Sequence, residues 1–193
     1  MTATPSTMLE LETRLQEFSL PDYEGTVVSS GDFANKPLLV VFICNHCPYV
    51  KHVVAKFSQL AKEFQARGVE VVAISSNDIT MYSEDAPDKM AEFSNQHRFT
   101  FPYLYDESQD VAKAFTAACT PDFFLFDRAH QLVYRGQMDG SRPGNNVPVT
   151  GIDLKAAVES MLRRKPMPQD QVPSIGCNIK WKKGNEPDYF TMG

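Results

Sequence analysis

The stretch VVFICNHCPYVKHVV, residues 40–54, contains two of the four cysteines of the chain and lies where an apolar run ends. The run KPLLVVFI is continuous and rich in Val, Leu and Ile, which is typical of a strand buried on both faces. From Pro48 to Arg67 the apolar residues instead recur at helical spacing, and Gly68 lies where a helix would end. Cys44 and Cys47 therefore fall at a predicted strand-to-helix junction.

A Cys-x-x-Cys pair at the start of a helix has a specific chemical use. The first sulfur lies near free backbone N–H groups and the positive end of the helix dipole, which favours the thiolate, and the second lies about one turn further on. In this interpretation Cys44 is the attacking nucleophile and Cys47 the resolving thiol of a thiol–disulfide exchange. An imidazole from His46 between the sulfurs would stabilise the Cys44 thiolate further. Buried structural cysteines are the alternative, but a pair that flanks Asn-His at such a junction fits it poorly.

The remaining pattern alternates between strand and helix signals and predicts an α/β fold. Strands are expected in a hairpin within residues 18–33 and in VEVVAISS, FPYLYD, DFFLFD and QLVYRGQ. Helices are expected at Pro48–Arg67, in SEDAPDKMAEFSNQHRF with Ser83 as N-cap, at Asp110–Ala118 and at Ile152–Arg164. We predict one domain over residues 1–165 and an extended, proline-interrupted tail over residues 166–193 that packs on it.

Length, composition and charge narrow the class of protein. A chain of 193 residues with 42% hydrophobic residues is typical of one soluble globular domain. The net charge of -5 and the shortness of the basic runs argue against a nucleic-acid partner. The first residues do not resemble a signal peptide, and no apolar run is long enough for a membrane span. We therefore expect a cytoplasmic protein, in a compartment that keeps ordinary thiols reduced.

Four stretches, KPLLVVFICNHC, VEVVAISSND, FPYLYDESQDVAKAF and CTPDFFLFD, resemble the thioredoxin superfamily, and more closely its redoxin branch of alkyl hydroperoxide reductase/thiol-specific antioxidant domains. The resemblance covers residues 16–164 and implies a thioredoxin fold, with a central mixed β-sheet flanked by helices. With the tail included, the chain resembles bacterial-type thioredoxin family proteins of the peroxiredoxin-like kind. The loop CTPDFF implies a cis-proline at Pro121 that faces the cysteines, with Thr120 offering backbone groups to an extended substrate.

The sequence departs from the peroxiredoxin pattern and from thioredoxin at positions that are functional in those proteins. A peroxiredoxin resemblance implies Pro-x-x-x-Thr-x-x-Cys, in which the threonine and a remote arginine orient peroxide. Counting back from Cys44 finds Pro37 in place but Val41 at the threonine position, and counting back from Cys47 finds Cys44 there. The peroxide-activating site is therefore incomplete. The buried acid that thioredoxin places six residues before its first cysteine is Leu38 in this chain.

Two further cysteines and one arginine have open roles. Cys119, two residues before Pro121, is either a third redox thiol or a buried residue that closes a short helix, and we favour the buried residue. Cys177 is either a tail thiol that resolves a sulfenic acid or one of three inward-facing residues that alternate along Ile175–Ile179, and the packing role is again favoured. Arg142, in the loop DGSRPGNN, is expected to be solvated.

Two redox functions follow from these residues. The first is a thiol–disulfide oxidoreductase that uses the Cys44–Cys47 pair on protein or small-molecule disulfides and is recycled by a reductase or a thiol pool. The second is an antioxidant thiol peroxidase in which peroxide oxidises Cys44 to a sulfenic acid and Cys47 or Cys177 resolves it.

A metal-binding module is the third alternative. Cys44 and Cys47 with His46 or His52 would hold a soft ion such as Cu(I), and His97 or His130 would serve only if the fold brought one of them there. No flavin, nicotinamide or nucleotide cofactor is expected, because no Gly-rich phosphate loop follows any strand.

Overall fold

The computed structural model describes residues 3–190, which form ten strands and four α-helices. In chain order the strands are β1 (Ala3–Pro5), β2 (Ser19–Pro21), β3 (Val27–Ser29), β4 (Leu38–Phe42), β5 (Glu70–Ser75), β6 (Tyr103–Tyr105), β7 (Cys119–Thr120), β8 (Asp122–Phe126), β9 (Leu132–Gly136) and β10 (Ile175–Asn178). The helices are α1 (Pro48–Gln65), α2 (Pro87–His97), α3 (Asp110–Ala114) and α4 (Ile152–Leu162).

The centre of the fold is a five-stranded mixed sheet in the order β6-β5-β4-β8-β9. Strand β4 is its middle strand: Val40 pairs with Val72 of the parallel neighbour β5 and with Phe124 of the antiparallel neighbour β8. All five residues of β4 are buried, as the continuous apolar run predicts. Strands β2 and β3 form the small N-terminal hairpin that the sequence predicts.

Apolar clusters cover both faces of the sheet. Leu39 and Val41 face a cluster that includes the buried sides of α1, α2 and α4, whereas Leu38, Val40 and Phe42 face a second cluster that includes α3. Alternate residues of a strand point to opposite faces, so one apolar strand contributes to both clusters.

Helix α1 is close to its prediction, but two other helices differ. The predicted N-cap Ser83 instead opens a separate 3-10 turn, Ser83–Asp85, and α2 begins at Pro87 with Ala86 as its extended N-cap. Proline suits the first helical position because its fixed φ matches the helix and it has no N–H to leave unpaired. Helix α3 ends at Ala114 rather than at Ala118, because Thr116 adopts a left-handed conformation with φ of 48°.

Strand β10 lies in the C-terminal tail and joins a second, three-stranded sheet in the order β1-β10-β7. Cys177 pairs antiparallel with Thr120 on one side and with Ala3 on the other. Cys177 and Ile179 are buried, but Ile175 is 38% exposed, so the prediction that it faces inward is wrong. Ile175 pairs with Pro5 at the end of the short strand β1, where the sheet stops.

None of the helices within residues 3–190 is both long enough and apolar enough to cross a membrane.

Gly176 allows β10 to approach the loop before Pro121. A Cβ atom added to Gly176 would lie 1.9 Å from the carbonyl oxygen of Thr120. We expect Gly176→Ala to lower the free energy of unfolding by about 1–3 kcal/mol, the usual cost of an added group in a packed interior. Urea unfolding measures the change. Gly31→Ala is the control, because a Cβ atom there meets no atom within 4 Å, and an equal loss in both variants would contradict this account.

Candidate active site

The predicted cysteine pair occupies the short loop between β4 and α1. Strand β4 ends at Phe42, and Cys47 is the N-cap of α1, with Pro48 as the first helical residue. Cys44 lies before the helix, so Cys47 and not Cys44 is the sulfur at the helix start. The expectation that Cys44 is the sulfur at the helix terminus is wrong, because the first helical residue, Pro48, lies four residues after Cys44.

Both sulfurs contact Thr120 in the loop that faces them. The Cys44 sulfur lies 3.5 Å from the Thr120 hydroxyl oxygen, and the Cys47 thiol donates a hydrogen bond of 3.2 Å to the Thr120 carbonyl oxygen. The peptide bond between Thr120 and Pro121 is cis, as the sequence predicts. The structure therefore brings together Cys44, Cys47, Thr120 and Pro121.

The cysteines differ in acidity in the direction opposite to the sequence-based expectation. Burial, followed by a hydrogen bond to Cys47, raises the pKa of Cys44 well above its usual value. The pKa of Cys47 is lowered, because hydrogen bonds from Cys177 and then from Cys44 stabilise its charged sulfur. Cys47 is therefore the more acidic of the two thiols; on deprotonation it would lose its hydrogen bond to the Thr120 carbonyl and keep Cys44 as a donor.

A buried carboxylate, Asp85, anchors the cysteine loop. One of its oxygens accepts backbone hydrogen bonds from Asn45 at 2.8 Å and His46 at 3.2 Å. The other oxygen lies 2.7 Å from His46 Nδ1 and accepts a 2.7 Å hydrogen bond from the Asn77 amide. The His46 ring also stacks on Tyr82, with ring centroids 5.3 Å apart. His46 is thus held by Asp85 rather than by a hydrogen bond to a sulfur.

This network shifts the pKa values of both partners toward their charged forms. The hydrogen bond that His46 donates to the Asp85 carboxylate raises the pKa of His46 above its usual value. Burial alone would raise the pKa of Asp85, but hydrogen bonds from His46 and Asn77 hold it below its usual value. A cationic His46 is therefore favoured, and its charge lies near enough to interact with the Cys47 thiolate.

The two remaining cysteines lie on neighbouring strands but have different surroundings. Cys177 on β10 forms a side-chain hydrogen bond with Cys47, and burial contributes with that bond to a raised pKa of Cys177. Cys119 on β7 instead contacts the Pro121 carbonyl oxygen, at 3.7 Å, and its pKa is raised by burial and by the charge of Asp122. The structure thus brings Cys177, but not Cys119, into bonding contact with the cysteine pair.

Arg142 is not the solvated residue that the sequence predicts. Its guanidinium donates hydrogen bonds to the carbonyl oxygens of Asp139 and Ser141, both at 2.7 Å, and to the Gln137 side chain at 2.6 Å. The polar loop folds onto the guanidinium because buried backbone carbonyls need donors. Arg142 and Pro121 both line a small cavity.

Among the described residues, the group of possible metal ligands differs from the expected two cysteines and one histidine. Within residues 3–190, ligand atoms of Cys44, His46 and Asp85 all lie within 4.8 Å of one another. The hydrogen bond between His46 and Asp85 accounts for two members of this group. The other histidines have separate contacts: His52 with the Ser141 hydroxyl at 2.7 Å, His97 with the Phe93 ring, and His130 with the Phe33 carbonyl oxygen at 3.1 Å.

Sequence reasoning missed Asp85, Asn77 and Tyr82. Asn77 had a usable signal, because it follows β5, and the carboxyl ends of parallel neighbours such as β4 and β5 meet at one edge of a sheet. Asp85 had none, since an acidic residue before a helix is typical of an ordinary first helical turn.

Asp122 is a second buried carboxylate beside the site. It follows Pro121 and opens β8, where it pairs with Phe42 at the end of β4. Burial raises its pKa to about 7, although the hydroxyls of Ser6 and Ser174 partly offset this effect. Neither carboxylate oxygen makes a hydrogen bond of normal geometry to the part of the chain that the structure describes. Such a group is stable in the interior mainly in its neutral form.

The fold superposes on the thioredoxin domain of a thiol-disulfide oxidoreductase from Bacteroides vulgatus, with a TM-score of 0.58 over 67% of this chain and 89% of that chain, at 17% identity. The mixed sheet, the cysteine pair at the end of β4 and the cis-proline loop define a thiol protein of the thioredoxin fold. The family profile of AhpC/TSA matches residues 11–135. The chain therefore belongs to the AhpC/TSA family, in agreement with the redoxin resemblance.

Two relatives illustrate the range of similarity. Peroxiredoxin Bcp of Escherichia coli (strain K12) is 27% identical over 127 residues, which cover 64% of this chain and 76% of that protein. The crystal structure of a conserved protein from Geobacillus kaustophilus is 48% identical with a TM-score of 0.92, and the match covers 94% of this chain and 97% of that chain. The second match includes most of the C-terminal tail that lies outside the family profile.

The ion pair between His46 and Asp85 predicts a pH response. Because Asp85 favours the charged imidazole, its stabilising effect is present below pH about 6.5 and is lost as the pH rises through the raised pKa of His46. We expect Asp85→Asn to lower the pKa of His46, measured by NMR titration of the imidazole. His97 is the internal control, because burial and not an acid shifts its pKa. An unchanged pKa of His46 would show that Asp85 does not set its charge.

Asp122 predicts a second pH response, which arises from the burial of an acid and not from an ion pair. The folded protein retains a proton that the unfolded chain releases above its usual pKa of 3.8, so stability decreases as the pH rises from there to about 7. We expect Asp122→Asn to remove this decrease, so that the variant gains stability relative to the parent between pH 5 and about 8. Urea unfolding at both pH values measures the difference. Parallel pH profiles of parent and variant would be incompatible with a buried, neutral Asp122.

Proposed function

We propose that the chain is a thiol–disulfide oxidoreductase that works through the dithiol of Cys44 and Cys47. The observation that carries this proposal is that both sulfurs contact Thr120 beside the cis peptide bond, the Cys44 sulfur at 3.5 Å from its hydroxyl oxygen and the Cys47 sulfur at 3.2 Å from its carbonyl oxygen. Two neighbouring thiols, one of them with a lowered pKa, are the reactants that intramolecular disulfide formation requires.

The interaction between Cys44 and Cys47 also supplies a route for the proton of Cys44. Cys44 gives its proton to the Cys47 thiolate and attacks one sulfur of the substrate disulfide, and the other substrate sulfur leaves as a thiolate. That thiolate takes the proton from Cys47. Cys47 then attacks the Cys44 sulfur, forms the Cys44–Cys47 disulfide and releases the second substrate thiolate. Two electrons pass from the protein to the substrate, and no acid equivalent to the one missing at Leu38 is needed.

The site favours small disulfides as substrates. Cys44 and Cys47 are 1% and 0% exposed, so a substrate reaches them only after a local opening. The Thr120 backbone that an extended protein substrate would pair with is paired with Cys177 of β10. Protein disulfides would therefore have to displace β10, whereas low-molecular-weight disulfides would not. A thiol pool or a reductase recycles the pair, and the cytoplasm remains the predicted compartment.

A peroxidase is the second candidate, and membership of the AhpC/TSA family and similarity to peroxiredoxin Bcp favour it. Peroxide would oxidise Cys44 to a sulfenic acid and release water, and the Cys47 thiolate would then form the disulfide. Val41 replaces the expected threonine, and the Arg142 guanidinium is bound by the carbonyls of its own loop. We therefore place disulfide exchange first. Soft-metal binding by Cys44 and His46 ranks third, because Asp85 already bonds Nδ1 of His46.

The test is equilibration of the protein with glutathione redox buffers, followed by counting of reduced thiols. We expect one reversible two-electron couple that is lost in both Cys44→Ser and Cys47→Ser. Cys119→Ser is the matched control, an equally buried thiol that contacts the Pro121 carbonyl instead of the pair. A couple that survives Cys44→Ser unchanged would refute the assignment, and faster oxidation by hydrogen peroxide than by oxidised glutathione would favour the peroxidase.

A further inference from the structure

The tail brings a third sulfur to the cysteine pair. Strand β10 lies against the cis-proline loop, and Cys177 is placed opposite Thr120, the residue that contacts both sulfurs of the pair. Cys177 is 1% exposed and forms a side-chain hydrogen bond with Cys47, and its sulfur also accepts one from the Tyr49 backbone in the first turn of α1. Helix start, loop and tail thus enclose one cluster of three thiols.

Cys47 is the central sulfur of this cluster. Its sulfur forms one hydrogen bond with Cys44 and another with Cys177. A disulfide is transferred when a third sulfur attacks one of its two sulfurs, and the attacked sulfur must be within contact of both the attacking and the departing sulfur. Cys47 meets this condition for an exchange between Cys44 and Cys177.

The position of β10 is specific. Gly176 is required for the close approach to Thr120, since a Cβ atom there would overlap the Thr120 carbonyl oxygen. Lys180 extends this anchoring beyond the strand: its backbone N–H donates a 2.8 Å hydrogen bond to the side chain of Asn77, which also binds Asp85. The tail is therefore bonded to the same network that anchors the cysteine loop.

We propose that Cys177 is a third redox thiol that takes over the disulfide from Cys44. The proposal rests on the dithiol function proposed above. After the Cys44–Cys47 disulfide has formed, the Cys177 sulfur attacks the Cys47 sulfur, the Cys44–Cys47 bond breaks and a Cys47–Cys177 bond forms. Cys44 leaves as a thiolate and takes up the proton that Cys177 loses. No electrons are gained or lost in this step, because one disulfide replaces another.

The exchange gives the oxidised protein a distinct second state. Cys44 is again a thiol and is available for another substrate molecule, while the oxidised pair lies between the start of α1 and the tail. The reductant that recycles the protein then acts on Cys47–Cys177, a disulfide that ties β10 covalently to the helix.

The test is disulfide mapping in the full chain. The reduced protein is oxidised with a low-molecular-weight disulfide, oxidised glutathione, quenched in acid, alkylated after unfolding and digested with trypsin. Cys44 and Cys47 remain in one tryptic peptide, because the only basic residue between Arg14 and Lys51 precedes a proline, and Cys177 lies in another. We expect a cross-linked pair of peptides in which Cys44 carries the alkyl group. The Cys119→Ser control should give the same pair.

Variants separate this inference from the proposed function. Cys177→Ser should lose the cross-linked peptides and the alkylation of Cys44 in the oxidised protein, and should keep the Cys44–Cys47 disulfide. Cys44→Ser, in which β10 and its thiol are intact, should form no Cys47–Cys177 disulfide, because the disulfide enters the cluster through Cys44. Detection of only the Cys44–Cys47 disulfide in the parent protein would overturn the role of Cys177 and leave the proposed function standing. If no disulfide includes Cys44 or Cys47 in the parent protein, both fail.

Discussion

The arrangement of the site depends on the contacts of Thr120. Its hydroxyl contacts Cys44, its carbonyl oxygen accepts the hydrogen bond of Cys47, and its backbone pairs with Cys177. Thr120 thus contacts or pairs with three cysteines, which come from a loop, a helix terminus and the C-terminal tail. Because buried backbone groups must be paired, the pairing of β7 with β10 also explains why the tail remains on the domain.

Electrostatics in the cluster follows from burial. A buried thiolate is costly unless donors surround it, and Cys47 has two thiols as donors, whereas Cys44 is itself one of those donors. The same rule applies to Asp85, a buried carboxylate that the His46 side chain and two backbone N–H groups of the loop satisfy. Negative charge is therefore favoured at Asp85 and, on deprotonation, at Cys47, with His46 as the favoured counter-charge.

The tail covers the backbone surface beside the cis-proline, because β10 pairs with Thr120 there. Cys44, Cys47 and Cys177 are all buried. For the proposed function, this enclosure slows access by large substrates and favours exchange between thiols of the same chain.

The sequence by itself determined the fold class, the central strand and the strand-to-helix junction at Cys44 and Cys47, because apolar periodicity reports local structure and burial. The cis bond at Pro121 was also predicted, through the family resemblance. Only the tertiary structure decided that Asp85 binds the cysteine loop, that Cys47 is the acidic sulfur and that Cys177 joins the pair. Those features depend on contacts between segments far apart in the chain, and hydrogen-bond partners and burial at such contacts leave no periodic signal in the sequence.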